Sequence, residues 1–281
     1  MALNMMPVSM SAADVETMMA VDRPGAEQAL PRTPSMRLDG RRALVTGAGR
    51  GLGRACAAAL AEAGAHVTLV ARTSDQIEAL ATAIRQAAGA ADAVQLDLTD
   101  LEAVARMVEA AEPFDILVNN AGTNRPAPLT EVTAADFDAV SDINVRAVFF
   151  ITQAVARRLI AAGRGGSIIN MSSQMGHVGA PNRSVYCTTK HAVEGMTKAM
   201  AIELGRHGIR VNAICPTFII TPMTAPFFDN QAFRTAALEK IKLGRLGKLE
   251  DIMGAVVFLA SDASALMTGS ALMLDGGWTA E

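Results

Sequence analysis

The possible folds are limited most by a regular alternation of two kinds of segment that begins near residue 42. Short apolar runs, rich in β-branched residues and bounded by Gly or Asp, are followed by longer Ala-rich stretches with helical spacing. Such alternation predicts a parallel sheet covered by helices. The predicted strands span residues 43–46, 66–70, 93–95, 116–119, 167–171, 210–214 and 271–274. The predicted helices span residues 53–63, 74–87, 101–110, 134–159, 184–206 and 250–261.

Seven such strands in 281 residues predict an α/β fold, with one doubly wound parallel sheet of the Rossmann type and helices on both faces. We assign residues 37–281 to this single domain. Residues 217–243 interrupt the alternation with prolines and phenylalanines directly after a predicted strand. Because α/β enzymes bind ligands beyond the carboxyl ends of their strands, this interval is predicted to be a lid over the substrate.

The first 36 residues differ from the rest, since they contain Pro7, Pro24, Pro31 and Pro34 and no sustained apolar period. They are predicted to form a disordered or loosely attached extension. Two alternatives stay open, a targeting or partner-binding arm and an upstream start codon included ahead of Met36. A secretory signal is not indicated, because no basic start precedes an apolar core.

Charge and cysteine content argue against several classes of function. The net charge is −3 and basic residues are scattered, so the basic patch of a nucleic-acid-binding protein is not indicated. Cys56, Cys187 and Cys215 are far apart, with no histidine at metal-ligand spacing, which indicates neither a disulfide framework nor a zinc site. Apolar stretches are interrupted before the roughly 20 residues of a membrane span. We therefore predict a cytoplasmic protein that needs no metal and binds neither membrane nor nucleic acid.

The string TGAGRGLG at residues 46–53 follows the first predicted strand and opens an Ala-rich helix. Gly47, Gly51 and Gly53 permit a tight turn, let the backbone approach a pyrophosphate, and leave room for the helix to pack on the sheet. Glycine spacing alone also suits ordinary turns. Its position after the first strand favours dinucleotide binding.

This string resembles the TGxxxGxG fingerprint of the short-chain dehydrogenase/reductase family, and further family motifs follow in the expected order. They are Asp97 with Leu98, NNAG at residues 119–122, Asn144, Ser173, the YxxxK of Tyr186 and Lys190, and DGG at residues 275–277. The resemblance extends from Arg37 to the end of the chain. It implies an oxidoreductase that moves a hydride between a nicotinamide dinucleotide and a carbonyl or alcohol.

The choice of cofactor depends on the end of the second predicted strand. An acidic residue there would bind the ribose hydroxyls of NAD(H), but this chain has Ala71 followed by Arg72. Arg50 could reach a 2′-phosphate from the glycine loop. These residues favour NADP(H), with NAD(H) as the alternative. By resemblance, the cofactor site comprises Gly47, Arg50, Gly51, Leu52, Gly53, Arg72, Asp97, Leu98, Asn119, Ala121, Gly122, Tyr186, Lys190, Pro216, Ile219 and Thr221.

The predicted catalytic residues are Asn144, Ser173, Tyr186 and Lys190. Tyr186 and Lys190 are four residues apart in a predicted helix, so their side chains share one face. A phenol with a pKa of about 10 is a poor base at neutral pH, and an adjacent ammonium is expected to lower that pKa. The resemblance implies that Tyr186 exchanges a proton with the substrate oxygen and that Ser173 binds this oxygen. It also implies that Lys190 holds the nicotinamide ribose and Asn144 holds a water that connects Lys190 to solvent.

A small-molecule substrate is predicted, either a sugar acid, a polyol or a small ketone, because the C-terminal segments resemble that branch of the family. Thr217 replaces the glycine that is usual after the Cys-Pro pair, a change that could stiffen the chain at the start of the lid and alter contacts near the nicotinamide carboxamide. One alternative is a 3-oxoacyl thioester reductase, although such enzymes often have a basic residue where this chain has Ile202. The other is a non-catalytic NADP-binding sensor. Family members commonly pair through the two long helices, here residues 134–159 and 184–206, which predicts a homotetramer or homodimer.

Overall fold

The computed structural model describes residues 30–281. The prediction for the N-terminal extension falls mostly on residues 1–29, outside the described part of the chain. Residues 30–36 are exposed and lie in neither a helix nor a strand. The domain described below is the unit Ser35–Glu281.

Seven parallel strands form one sheet in the spatial order β3-β2-β1-β4-β5-β6-β7, which confirms the predicted doubly wound sheet. Most side chains of the central strands are apolar and buried, as expected where helices cover both faces of the sheet. The order reverses between β1 and β4, and this reversal opens a crevice at the carboxyl ends of the strands. The strands are β1 (Arg42–Thr46), β2 (His66–Ala71), β3 (Ala90–Gln95), β4 (Ile116–Asn119), β5 (Gly166–Met171), β6 (Ile209–Pro216) and β7 (Ala271–Leu274).

Eight α-helices surround the sheet in the described part of the chain. They are α1 (Gly51–Glu62), α2 (Ser74–Gln86), α3 (Leu101–Ala110), α4 (Ala134–Ser141), α5 (Ala147–Ala161), α6 (Ser184–Leu204), α7 (Gln231–Lys240) and α8 (Glu250–Ala260). Helices α1, α2 and α8 contribute to the core on one face of the sheet. Helices α3, α5 and α6 contribute to the core on the other face.

The predicted helix 134–159 is divided in two by a π-helical turn, Asp142–Arg146, between α4 and α5. Asn144, at the centre of this turn, binds the backbone of Thr123. Its Oδ1 accepts from the Thr123 N–H at 2.8 Å, and its Nδ2 donates to the Thr123 carbonyl at 2.9 Å. We attribute the widened turn to this tertiary contact, which the apolar period of the sequence does not encode.

The helical run 134–161 is long and apolar enough, by length and composition, to cross a membrane, although the sequence suggested shorter apolar stretches. Core helices of folded domains meet the same criteria. Here α5 buries Ile151, Val155 and Leu159 in the core beneath the sheet. The run 134–161 is therefore part of the helical layer of this domain.

The interval 217–243 lies between β6 and α8 and contains α7, a helix that was not predicted. Only Ala237 of α7 is buried, so the apolar period that identifies helices is missing there. The aromatic side chains of this interval pack mainly on one another. The ring of Phe218 makes edge contacts with Phe228, Phe233 and Trp278, at centroid distances of 5.5, 5.4 and 5.7 Å.

Candidate active site

A cavity of about 690 Å³ opens at the carboxyl ends of the central strands. One end lies against the loop between β1 and α1, and the other lies between the end of β5 and the lid. Three predicted site residues, Gly53, Asn119 and Asn144, do not line the cavity. The predicted residues that do line it are Gly47, Arg50, Gly51, Leu52, Arg72, Asp97, Leu98, Ala121, Gly122, Ser173, Tyr186, Lys190, Pro216, Ile219 and Thr221.

The glycine loop has the backbone geometry expected from its sequence. Gly47 and Gly51 have φ values of 62° and 55°, a left-handed conformation that favours glycine. Gly53 does not line the cavity, and its predicted role in cofactor binding stays a prediction. A Cβ on Gly53 would overlap the Gly47 carbonyl oxygen and the Asn120 amide, so this glycine allows close packing of α1 beneath the loop.

Helix α1 begins at the cavity without a side-chain cap. Its N-cap residue, Arg50, makes no side-chain cap hydrogen bond, and the first turn contains no acidic residue. The first N–H groups of a helix have no partner within the helix, and they carry partial positive charge. This end of the cavity is therefore suited to bind a phosphate.

Two arginines and one carboxylate lie at the same end of the cavity. Arg50 and Arg72 are both exposed. Asp97 accepts hydrogen bonds from the Thr99 N–H at 3.0 Å and from the Thr99 hydroxyl at 2.8 Å. The backbone hydrogen bond from Thr99 is the main cause that holds the pKa of Asp97 below its usual value, and the charge of Arg72 adds to it. Asp97 is thus an ionised acceptor at neutral pH.

Asn119 is buried away from the cavity, contrary to its predicted place beside the adenine ribose. Its Nδ2 donates to Thr152 Oγ1 at 2.9 Å and to Asn170 Oδ1 at 2.8 Å. Asn120 lines the cavity instead, and its Nδ2 donates to the Thr46 carbonyl at 2.9 Å. Successive side chains at the end of a strand point to opposite faces of the sheet, so Asn119 and Asn120 differ in direction.

Ser173 and Tyr186 meet at the end of β5, as predicted. The Ser173 hydroxyl donates to Gln174 Oε1 at 2.8 Å and accepts from the Met175 N–H at 3.1 Å. Ser173 and Tyr186 both line this end of the cavity, and the nearby Ser173 hydroxyl tends to lower the pKa of the Tyr186 phenol. The two hydroxyl groups can therefore contact one substrate oxygen together.

Burial raises the pKa of Tyr186 to about 12, against the weaker opposing effects of Ser173 and Arg183. The lowering of this pKa by Lys190 stays a prediction. The ammonium lies 5.5 Å from the centroid of the tyrosine ring, and it donates to the Met171 carbonyl at 2.8 Å. Tyr186 therefore holds its proton at neutral pH.

Lys190 is buried beside Tyr186, and burial lowers its pKa to about 8. The nearby Glu194 and Cys215 oppose this change, since they favour the charged ammonium. With its pKa lowered to about 8, Lys190 is mostly an ammonium at neutral pH and loses this charge as the pH rises through that value. An ammonium has three donors, and the Met171 carbonyl accepts only one of them.

Asn144 supports the helix that carries Lys190 and does not reach the cavity. In addition to its bonds with Thr123, its Nδ2 donates to Thr189 Oγ1 at 3.0 Å. These bonds occupy the side-chain amide, so it positions α6 and the loop after β4. The predicted link through water to Lys190 stays a prediction.

Pro216 at the end of β6, and Ile219 and Thr221 in the interval 217–243, line this part of the cavity. Thr217, which replaces the usual glycine, also lines the cavity. Its Oγ1 is buried and has no hydrogen-bond partner among residues 30–281. This hydroxyl is available to a ligand that occupies the cavity.

Sequence reasoning missed two polar residues at the chemical end of the cavity, Gln174 and Arg183. Both are buried, and both line the cavity. Their only signal in the sequence is position, because Gln174 follows Ser173 and Arg183 precedes Tyr186 by three residues. Neither belongs to a family motif that we considered.

A group of three potential metal ligands lies behind Lys190, although the cysteine spacing suggested no such group. Cys215 Sγ lies 3.2 Å from Glu194 Oε1, and His177 Nε2 lies 3.6 Å from both Cys215 Sγ and Glu194 Oε2. The residues come from a loop, a helix and a strand, so sequence spacing does not reveal them. The thiol donates to the carboxylate, and Glu194 favours the charged form of Lys190.

The cavity residues fit the nicotinamide dinucleotide that the sequence motifs imply. Glycines leave room for the backbone to approach a pyrophosphate at the start of α1, and two arginines flank the space where a 2′-phosphate would lie. Asp97 offers an acceptor to an adenine amino group. At the other end, the Thr217 hydroxyl offers a contact to a carboxamide.

Comparison with known proteins agrees with this geometry. The family model described as enoyl-(acyl carrier protein) reductase matches residues 47–279. The chain is 44% identical to L-xylulose reductase of Bos taurus, over 87% of this chain and 99% of that protein. It is 41% identical to gluconate 5-dehydrogenase of Gluconobacter oxydans, over 86% of this chain and 96% of that protein.

Solved structures show the same relationship. The gluconate 5-dehydrogenase of Burkholderia cenocepacia, crystallised with NADP and tartrate, is 38% identical. It superposes with a TM-score of 0.84 over 88% of this chain and 98% of that chain. The chain therefore belongs to the short-chain dehydrogenase/reductase family.

Proposed function

We propose that this protein is a cytoplasmic NADP(H)-dependent oxidoreductase. It moves a hydride between the nicotinamide and a small polyhydroxylated carbonyl compound or its alcohol, such as a ketose, a polyol or a sugar acid. One observation carries the proposal. Ser173, Tyr186 and Lys190 meet at one end of a cavity whose other end combines a glycine cradle with Arg50 and Arg72. The relatives named as reductases and dehydrogenases of pentuloses and gluconate support this substrate class.

The chain's own residues supply the proton chemistry. When bound, the nicotinamide supplies the hydride to a carbonyl carbon, or accepts one from an alcohol. Ser173 donates a hydrogen bond to the substrate oxygen and stabilises its developing negative charge. Tyr186 holds a proton at its phenol oxygen, because burial keeps its pKa high, and gives this proton to the same oxygen during reduction. Lys190 places a positive charge beside the phenolate that then forms.

A substrate panel tests the proposal. Purified protein is assayed with NADPH and with NADH against ketoses, keto sugar acids, diketones and 3-oxoacyl thioesters. We expect NADPH oxidation with a ketose or keto sugar acid. Turnover of thioesters alone would favour the acyl thioester reductase. NADPH binding without turnover of any of these compounds would favour the non-catalytic sensor.

Replacing Arg72 by Asp is expected to weaken NADPH binding and to shift preference toward NADH. Charge-assisted hydrogen bonds contribute about 1.5–3 kcal/mol, so the NADPH dissociation constant should rise about 10- to 100-fold. Arg54→Asp is the matched control, since Arg54 is exposed on α1 and does not line the cavity. Equal NADPH affinity in wild type, Arg72→Asp and Arg54→Asp would show that Arg72 does not contact the phosphate.

We also propose that the chain forms a homodimer or homotetramer. Phe149 and Phe150 on α5 and Ile202 on α6 are exposed in the single chain. A phenylalanine contributes about 1.5–3 kcal/mol when fully buried. The double variant Phe149→Ser/Phe150→Ser should therefore lower the mass measured by light scattering to that of a monomer. Leu129→Ser, at an exposed site in a loop, should leave the mass unchanged.

A further inference from the structure

Arg183 places a buried cation at the substrate end of the cavity. The residue is only 9% exposed, lines the cavity and directly precedes α6, three positions before Tyr186. Its guanidinium lies 5.1 Å from the centroid of the Phe227 ring in the lid. Within residues 30–281, no side-chain hydrogen bond or ion pair involves this guanidinium.

A second buried arginine of the same protein provides a comparison. Arg210 donates to the carbonyls of Leu259 and Ser261 and to the hydroxyl of Ser264, so its charge is well solvated by the protein. Arg183 has no such acceptors among residues 30–281, and it lines the cavity. Burial also lowers the pKa of Arg183, but a guanidinium keeps its proton in proteins. Its charge is therefore left for a ligand in the cavity.

The backbone holds Arg183 in this position. Asn182 has a left-handed φ of 58°, a conformation that asparagine tolerates better than most residues. The Ala127 N–H donates to the Asn182 carbonyl at 3.2 Å, and the Cys187 N–H donates to the Arg183 carbonyl at 2.8 Å. The side chain thus projects from an ordered turn that begins α6.

Other charged groups at this end of the cavity already have partners. Arg125 pairs with Asp136 at 2.8 Å, and Asp142 lies 3.8 Å from Arg146. Lys190 donates to the Met171 carbonyl. Arg183 is the cation of this region that has no acceptor within the part of the chain that the structure describes.

We infer that Arg183 binds a carboxylate of the substrate. The preferred substrate is then a short keto sugar acid, and its product is the corresponding hydroxy acid. This inference rests on the proposed function and narrows its substrate class. A guanidinium presents a planar fork that matches both oxygens of a carboxylate. Arg183 and Tyr186 line the same end of the cavity, so a carboxylate on Arg183 leaves the carbonyl of a short chain within reach of Tyr186. The Phe227 ring lies within cation–π distance of the guanidinium.

The test compares two substrates of similar size that differ in charge, 5-keto-D-gluconate and the neutral ketose L-xylulose. Wild type should prefer the acid. In Arg183→Gln, kcat/KM for the acid should fall about 10- to 100-fold, mainly through KM, while the value for L-xylulose changes little. Arg183→Lys keeps the charge but loses the planar fork, so its kcat/KM for the acid should lie between the values of wild type and Arg183→Gln. Arg106→Gln is the matched control, because Arg106 is exposed on α3, pairs with Glu102 and does not line the cavity.

Calorimetric titration of the NADPH-loaded protein with tartrate separates failure of the inference from failure of the proposed function. Tartrate should bind wild type and Arg106→Gln, and it should bind Arg183→Gln at least about tenfold more weakly. This result decides the role of Arg183 even if wild type reduces neither substrate. Absence of turnover would contradict the proposed function alone. Equal tartrate affinity in wild type and Arg183→Gln, or equal losses with acid and neutral substrate, would overturn the inference. Circular dichroism of both Arg183 variants identifies a folding defect, and Arg183→Lys then decides.

Discussion

Tyr186→Phe is expected to lower turnover about 100-fold or more, the usual scale for general acid-base catalysis, and to leave NADPH binding intact. The substitution keeps the ring and its packing but removes the phenol that meets Ser173 at the end of β5. Burial keeps the wild-type phenol protonated, whereas the phenylalanine that replaces it has no proton to give. Steady-state rates and NADPH titration measure the two quantities separately.

Variants of the neighbouring residues make the result specific. Ser173→Ala should lower the rate on the order of 100-fold without changing NADPH affinity. Lys190→Ala should lower both the rate and the NADPH affinity, since the predicted contact with the nicotinamide ribose is lost as well. Thr188→Ala, on the exposed side of the same helix, is the control and should behave as wild type. A folded Tyr186→Phe protein that turned over substrate at the wild-type rate would contradict the assigned role.

Gly53→Ala is expected to damage cofactor binding although Gly53 does not line the cavity. The new Cβ would overlap the Gly47 carbonyl and the Asn120 amide, and both of these residues line the cavity. Overpacking of this kind costs about 1–3 kcal/mol of stability. Displacement of the cradle should also raise the NADPH dissociation constant about tenfold, the equivalent of about 1.4 kcal/mol.

Gly254→Ala supplies the opposite expectation from the same chemical change. Gly254 is exposed in α8, and a Cβ there would meet nothing within 4 Å. The variant should be about 0.4–1 kcal/mol more stable to chemical denaturation, because alanine restricts the unfolded chain and favours a helix. It should bind NADPH normally. Unchanged stability and NADPH affinity in Gly53→Ala would show that the loop moves freely, against the packing described.

Elements with a strong local signal could be predicted from the sequence. The seven strands and their parallel arrangement follow from apolar runs that alternate with helical periods, and the glycine loop follows from three glycines after β1. The strand boundaries were correct to within three residues, since fraying and hydrogen bonding at strand ends leave little trace in side-chain type. Ser173, Tyr186 and Lys190 could be placed because family spacing fixes them.

Features that depend on tertiary contacts could not be predicted. The π-helical turn at Asn144 follows from a bond to Thr123, more than 20 residues earlier in the chain. Asn119 and Asn120 are chemically alike, and only the pleat at the end of β4 decides which one faces the cavity. Arg183 has no motif of its own, and its importance follows from burial without a partner. The raised pKa of Tyr186 likewise depends on burial, which spacing does not reveal.

The central claim is that hydride passes between the nicotinamide and a polyhydroxylated carbonyl beside Tyr186. It is tested most directly with NADPH that carries deuterium at its transferable position, with 5-keto-D-gluconate and L-xylulose as substrates. Mass spectrometry should find one deuterium on the carbinol carbon of the product, in an amount equal to the NADPH oxidised, and almost none with Tyr186→Phe. NADPH binding with no deuterated product from either compound would contradict the claim.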